Sequence, residues 1–353
     1  MNNINTQQAP VSLVSSSGTP TYGYFDGPVS SLGLEHFNYR TDMDKPASAL
    51  AKHFHFKQFQ FVSIVTENFI IGVAIADIRY LGNGFCYLYD IKQNKIVETS
   101  WLKFGGLGYQ MTPSPMNGLA RIANRNGEVC FHLTEGNWHL SINTQTISAD
   151  LKLVSKQASL PIAMCNPTGY RGWTYTQKHN GLTPHGHLAI NGVNQSLNDA
   201  LAGYDFSAGY MRRETSWRWA SINATTKEAG NETKIIGLNL AAGVNETGGN
   251  ENVFWCDKER HLLPAVHFDF QRKPVNKSTN AIDSTWHIYS DNGQIDLHFC
   301  AKNCRFERLN LWLLKSNFRQ FIGYFTGYII DNDGNKHTID NIIGLTEDHF
   351  ARW

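Results

Sequence analysis

Along most of the chain, apolar and polar residues alternate with a period of two rather than the 3.6 of a helix. Ile147, Ala149, Leu151 and Leu153 are apolar, and Ser148, Asp150 and Lys152 between them are polar. In an extended strand this puts one face against a core and the other in water. Trp286 and Ile288 lead into Asp291-Asn292-Gly293, and Ile295, Leu297 and Phe299 lead out. An Asn-Gly pair supplies the positive φ that a tight hairpin needs. Similar punctuation predicts hairpins over 321–339 and at Ile190-Asn191-Gly192-Val193. The apolar run ending Val73-Ala74-Ile75-Ala76-Asp77 reads as a strand, with Asp77 and Arg79 as an ion pair. Its expected partner is Phe85 to Asp90, across a turn at Gly82-Asn83-Gly84. Helical patterning is confined to 46–57 and a short piece at 198–201. The chain reads as an antiparallel, all-β sandwich or barrel protein.

At ~150 residues per domain, 353 residues suggest two domains. The first twenty residues are polar and read as a disordered lead-in with no secretory character. Two prolines and two glycines in 161–173 suggest a crossing segment, and 272–283 a polar loop. The division expected is 1–20 as lead, 21–185 as the first β domain and 186–353 as the second. No fixed repeat period marks a propeller or solenoid.

Composition narrows the function. With 31 Lys+Arg against 30 Asp+Glu, the net charge of +1 leaves no footprint for nucleic acid or an anionic membrane. A 41% hydrophobic content supports a large core, yet no apolar run approaches the ~20 residues of a membrane span. The six cysteines read as free thiols and the location as cytoplasmic. Cys300 with Cys304, His53 with His55, and His185 with His187 lack a signalled third ligand, so no metal is expected. Phosphate-loop, dinucleotide-binding, serine-hydrolase and His-Glu-x-x-His motifs are absent, and no cofactor is implied. The expected partner is a small, partly apolar molecule.

Two constellations carry candidate chemistry. On a strand after Gly209, Arg213, Thr215, Trp217 and Trp219 share one face, and Arg212, Glu214, Ser216 and Arg218 the other. A guanidinium holds carboxylates and indole faces suit flat apolar rings. The competing reading is an Arg–Glu pair closing a barrel end, with tryptophans as core. Downstream, Glu246 and Glu251 flank a loop rich in Gly and Asn, and could act as an acid/base pair. The competing reading there is a long hairpin loop. Asn239, inside an apolar strand, must find hydrogen-bond partners.

Several blocks resemble the DUF2804 family. They are 55–90, Ser216-Trp217-Arg218-Trp219-Ala220-Ser221, Gly237-Leu238-Asn239-Leu240, Asn250-Glu251-Asn252-Val253-Phe254-Trp255 and 344–353. More distantly, Trp173 to Gln177, Gly186 to Gly192 and Gly209 to Trp217 follow the order of lipocalin-like proteins of the AttH and carotenoid-hydratase type. That resemblance implies two lipocalin-like antiparallel β-barrels packed together around a ligand cavity. In their Gly-Tyr-x-Asp-His-x-Trp-Gly motif, the Asp-His positions fall here on Arg212 and Arg213, and the final Gly on Arg218. Arginine stays charged and cannot serve as a proton donor, which argues against hydratase chemistry.

The expected catalytic residues are Glu214, Glu251 and Arg213. Arg212, Trp217, Trp219, Asn239, Asn245, Glu246 and Asn252 are the expected ligand contacts. The functional expectation is an isomerase, cyclase or lyase acting on a partly apolar metabolite in a barrel pocket. A lipid or terpenoid carrier is the alternative, and a glycan-binding or glycan-cleaving protein the third.

Overall fold

The structure, a computed structural model, describes residues 5–227, 233–243, 248–272, 284–311 and 314–353. Strands dominate it, as the period-two pattern requires. Among the described residues the only helix is Ala49–His55, where the Ser48 hydroxyl caps the N-terminus by accepting from the Ala51 N–H (3.1 Å). It is shorter than the expected 46–57, and 198–201 is a turn into the next strand. No helix is long and apolar enough to cross a membrane.

The strands form two sheets, of fifteen and nine strands among the described residues. The first runs from Lys95–Phe104 through Leu81–Asp90, Phe69–Asp77, Lys57–Val65, Leu201–Gly209 and Gly172–Ile190 to Ile147–Val154, and ends at Tyr109–Met111. It curls until Lys95–Phe104 touches Gly118–Asn124, making a nearly closed barrel. The second centres on Glu214–Lys227, Lys336–Arg352 and Leu314–Ile330, and stays open as a half-barrel. The all-β expectation therefore holds, with the two sheets unequally closed.

Several local readings are corrected. Residues 5–20 are not a loose lead: Leu13 and Val14 are fully buried in the barrel core. The Leu13 N–H donates to the Ser31 carbonyl and the Thr21 N–H to that of Leu13. The chain passes between sheets at 210–213, whereas the expected change at 185/186 falls inside the Gly172–Ile190 strand. Segment 161–173 is no crossing either, because Ile162–Thr168 pairs antiparallel with Gly172–Ile190. The turn after Asp77 lies at 78–80, where Arg79 has φ 74°. Gly82 and Gly84 sit within Leu81–Asp90 for a different reason: a Cβ at Gly82 would lie 2.5 Å from the Tyr109 ring. The hairpin at Asn191-Gly192 is as expected, with φ values of 50° and 77°.

The continuous apolar runs of Phe69–Asp77 and Leu81–Asp90 follow from burial on both faces. Ile71, Val73, Ile75, Cys86 and Leu88 point into the barrel. Their neighbours Ile70, Ala74, Phe85 and Tyr87 point outward and pack on Trp219, Phe318 and Ile322 of the second sheet. A polar seam fixes the same contact. The Asn180 amide donates to Ser221 Oγ (2.7 Å) and to the carbonyls of Ile222 (3.1 Å) and Leu238 (2.9 Å). Asn223 answers from the other side, accepting from the Gly181 N–H and donating to Ser63 Oγ. A Cβ at Gly237 would lie 2.6 Å from the Asn180 carbonyl carbon, so the strands approach closely there.

Replacing Asn180 with alanine strands buried acceptors on the second sheet. Urea unfolding of Asn180→Ala should show a loss of about 3 kcal/mol.

Candidate functional site

Where the aromatic contact between the sheets ends, a cavity of about 180 Å³ remains. It lies between the sheets and not inside either barrel, which corrects the expected barrel pocket. The first sheet contributes Phe59, Phe61, Ala74 and Phe85. On the second, Thr215, Trp217 and Trp219 stand on one face of Glu214–Lys227, as the alternation predicted, and Phe318 joins them from the Leu314–Ile330 strand. The walls are thus largely aromatic, with a few polar groups converging between them.

Glu347 and His349 lie two apart on Lys336–Arg352 and face the cavity together. Between them Asp348 points the other way and meets Arg319, Arg272 and Arg218. Trp217 Nε1–H donates to Glu347 Oε2 (3.3 Å), and the Gln320 amide to Oε1 (2.6 Å). Burial raises the Glu347 carboxyl to about 7 despite these two donors, because no cation is paired with it. His349 shares a hydrogen bond with Ser316 Oγ (2.9 Å), and its ring lies 4.1 Å from that of Trp217. Burial lowers its pKa to about 3, so the imidazole is neutral, and Nδ1 has no hydrogen-bond partner.

Every other carboxyl lining the cavity is committed to a cation. Lys178 Nζ lies 2.7 Å from Asp205 and 3.1 Å from Glu251. Burial opposes the Lys178 charge, yet the two carboxylates outweigh it and push its pKa up. Burial also raises the pKa of Glu251, with Lys178 opposing. Arg305 spans Glu98 (2.7 Å) and Glu307 (3.1 Å), and its guanidinium lies 3.7 Å from the Phe85 ring centre.

A family profile described as a domain of unknown function, DUF2804, matches residues 4–353. The chain belongs to the DUF2804 family. No curated protein matches it. Among solved structures, kievitone hydratase from Nectria haematococca is 12% identical with a TM-score of 0.48, covering 84% of this chain and 88% of that one. A Nitrosomonas europaea protein provisionally described as AttH is 11% identical with a TM-score of 0.47, covering 84% of this chain and 91% of that one.

In this DUF2804 protein the expected site residues separate. Trp217, Trp219 and Glu251 line the cavity. Arg212 and Arg213 precede the Glu214–Lys227 strand and line a larger outer cleft instead. Glu214 does not fit a catalytic role, since its side chain is 57% exposed and faces Arg352 at 3.4 Å. Asn239 finds its partners, accepting from Trp219 Nε1 (2.6 Å) and donating to the Glu251 carbonyl (2.7 Å). It positions two wall residues but does not itself line the cavity. Asn252 is likewise structural, bonded to the Ala241 N–H and the Pro264 carbonyl. Asn245 and Glu246 lie outside the described residues. Among the described residues, neither His53 with His55 nor His185 with His187 belongs to a ligand-spaced group. The groups so spaced are His287/Asp296/His298 and Glu259/His261/Asp333.

Sequence reasoning missed Glu347, His349 and Lys178. The available signal was Thr346-Glu347-Asp348-His349, a strand segment with an acid and an imidazole on one face. The folded DUF2804 chain holds the Glu347 proton more tightly than the unfolded chain, whose value is near 4.5. Its contribution to stability is complete below that value, declines as pH rises, and is lost above about 7. Urea unfolding at pH 4.5 and pH 8 should show the difference between Glu347→Gln and wild type moving by ~3 kcal/mol in the variant's favour at the higher pH.

Proposed function

We propose that this protein is an acid–base enzyme, an isomerase in which Glu347 moves one proton on a small, partly apolar molecule held between the sheets. The observation carrying this reading is that Glu347 is the cavity's one carboxyl without a cation, among the described residues. A carboxyl near neutrality can take a proton from one carbon and return it to another, with no cofactor and no net change in atoms. Trp217 and Gln320 hold its two oxygens, while Phe59, Phe61, Phe85 and Phe318 favour a flat or unsaturated skeleton. His349 is too weak a base to abstract that proton, but its free Nδ1 suits a hydrogen bond to the substrate.

This assignment moves the proton-transfer role from Glu214 and Glu251 to Glu347, because Glu251 is bound to Lys178. The carrier reading is favoured by the apolar walls alone. It differs in requiring no chemistry from Glu347. The glycan reading used Glu246 with Glu251, and only the latter is among the described residues.

Incubating the purified protein with a metabolite extract in deuterated water tests the reading. Mass spectrometry should find at least one metabolite gaining deuterium, and Glu347→Gln should slow this by about 10²–10⁴-fold while remaining folded by circular dichroism. No exchange, or equal exchange by the variant, would refute it. For the proton-abstracting form, kcat/KM should rise with pH through about 7 and then level off.

A further inference from the structure

Beside the inner cavity lies an outer cleft of about 880 Å³, and Lys57, Met211 and Trp353 line both. The two spaces differ in charge. In the inner cavity, Lys178 and Arg305 each face two carboxylates, so apart from Lys57, which the two spaces share, an anion entering it meets no spare cation. The outer cleft is the reverse. Lys57, Arg171, Arg212 and Arg213 line it against a single side-chain carboxylate, Asp42, which lies 3.2 Å from Arg171.

Two of those cations are not neutralised. Lys57 Nζ is buried and donates to the carbonyls of Phe54 and Ile78, with no carboxylate at ion-pair distance among the described residues. Burial lowers its pKa to about 8, against the attraction of Asp77, so the ammonium is still mostly charged at neutral pH. Arg213 is exposed, and its guanidinium has no carboxylate partner among the described residues. A buried ammonium held only by carbonyls, with a free guanidinium in the same cleft, is an arrangement that one anionic group can complete. Tyr80, Tyr210 and Trp353 supply apolar surface around it.

We propose that the outer cleft and inner cavity form one bipartite site for an organic acid, its carboxylate at Arg213 and Lys57 and its unsaturated or aromatic tail directed to Glu347. The inference rests on the reading of the inner cavity as the reaction site, and adds the substrate class. The head group is anionic because the spare charge is one guanidinium and one ammonium, and a single carboxylate can bridge the two. Its tail is flat because the inner walls are rings.

Calorimetric titration of the full chain with phenylhexanoate and phenylhexanol tests this. The two probes share a tail and differ in the anionic head. Wild type should bind the acid at least about ten-fold more tightly. In Arg213→Gln that preference should fall several-fold, with Lys57 alone left at the head, while the affinity for the alcohol stays within about two-fold, since nothing around the tail changes. Equal binding of the probes by wild type, an undiminished preference in Arg213→Gln, or no binding of either probe overturns the proposal. Binding is read without turnover, so the two readings fail separately. An acid preference with no deuterium exchange would refute only the role of Glu347, and exchange without an acid preference only the head-group site.

Discussion

Everything in this molecule turns on the packing of the barrel's outer face against the half-barrel. Strands Phe69–Asp77 and Leu81–Asp90 have no solvent face, because the barrel core takes one side and Trp219, Phe318 and Ile322 the other. Apolar contact drives that association without direction. The Asn180 and Asn223 amides supply direction, because their acceptors and donors lie on the opposite sheet. Together they fix the sheets closely enough that the unfilled end of the interface keeps a defined shape.

That interface also explains the chemistry of its cavity. Burial disfavours every charge, but the outcome depends on the company each group keeps. Lys178, Asp205 and Glu251 share one ion-pair cluster, and so form a polar wall. Glu347 has only neutral donors, so its proton is held near neutrality. His349, beside Trp217 and Phe318, stays neutral. One desolvating environment thus yields a fixed ion set, a poised acid and a neutral imidazole within one space.

The barrel interior, where a ligand would sit in a hollow barrel, is filled in this chain. Leu13, Val14, Trp101, Trp138 and Trp173 are buried in its core. The Trp101 indole nitrogen donates to the Gly127 carbonyl (3.1 Å). With the interior packed, the binding surface moves outward to the seam between the sheets. The arginines after Gly209 follow, because the crossing at 210–213 runs along the edge of that seam.

Local signals were sufficient for the β architecture. Alternation at Ile147–Val154, whose residues are buried at every second position, and the Asn191-Gly192 turn depend only on pleat geometry and backbone φ. The facing of Thr215, Trp217 and Trp219 followed from the same two-residue period. What the chain alone could not reveal were contacts between residues far apart in sequence. Gly82 looks like a turn residue until the Tyr109 ring is seen beside it, and the polar lead looks loose until Leu13 and Val14 are seen in the core. Likewise, Glu251 and Glu347 are the same residue type, and only the presence or absence of Lys178 nearby separates an ion-pair member from a proton carrier. Periodicity is a property of neighbours along the chain. Desolvation and ion pairing belong to neighbours in space, and folding alone decides those.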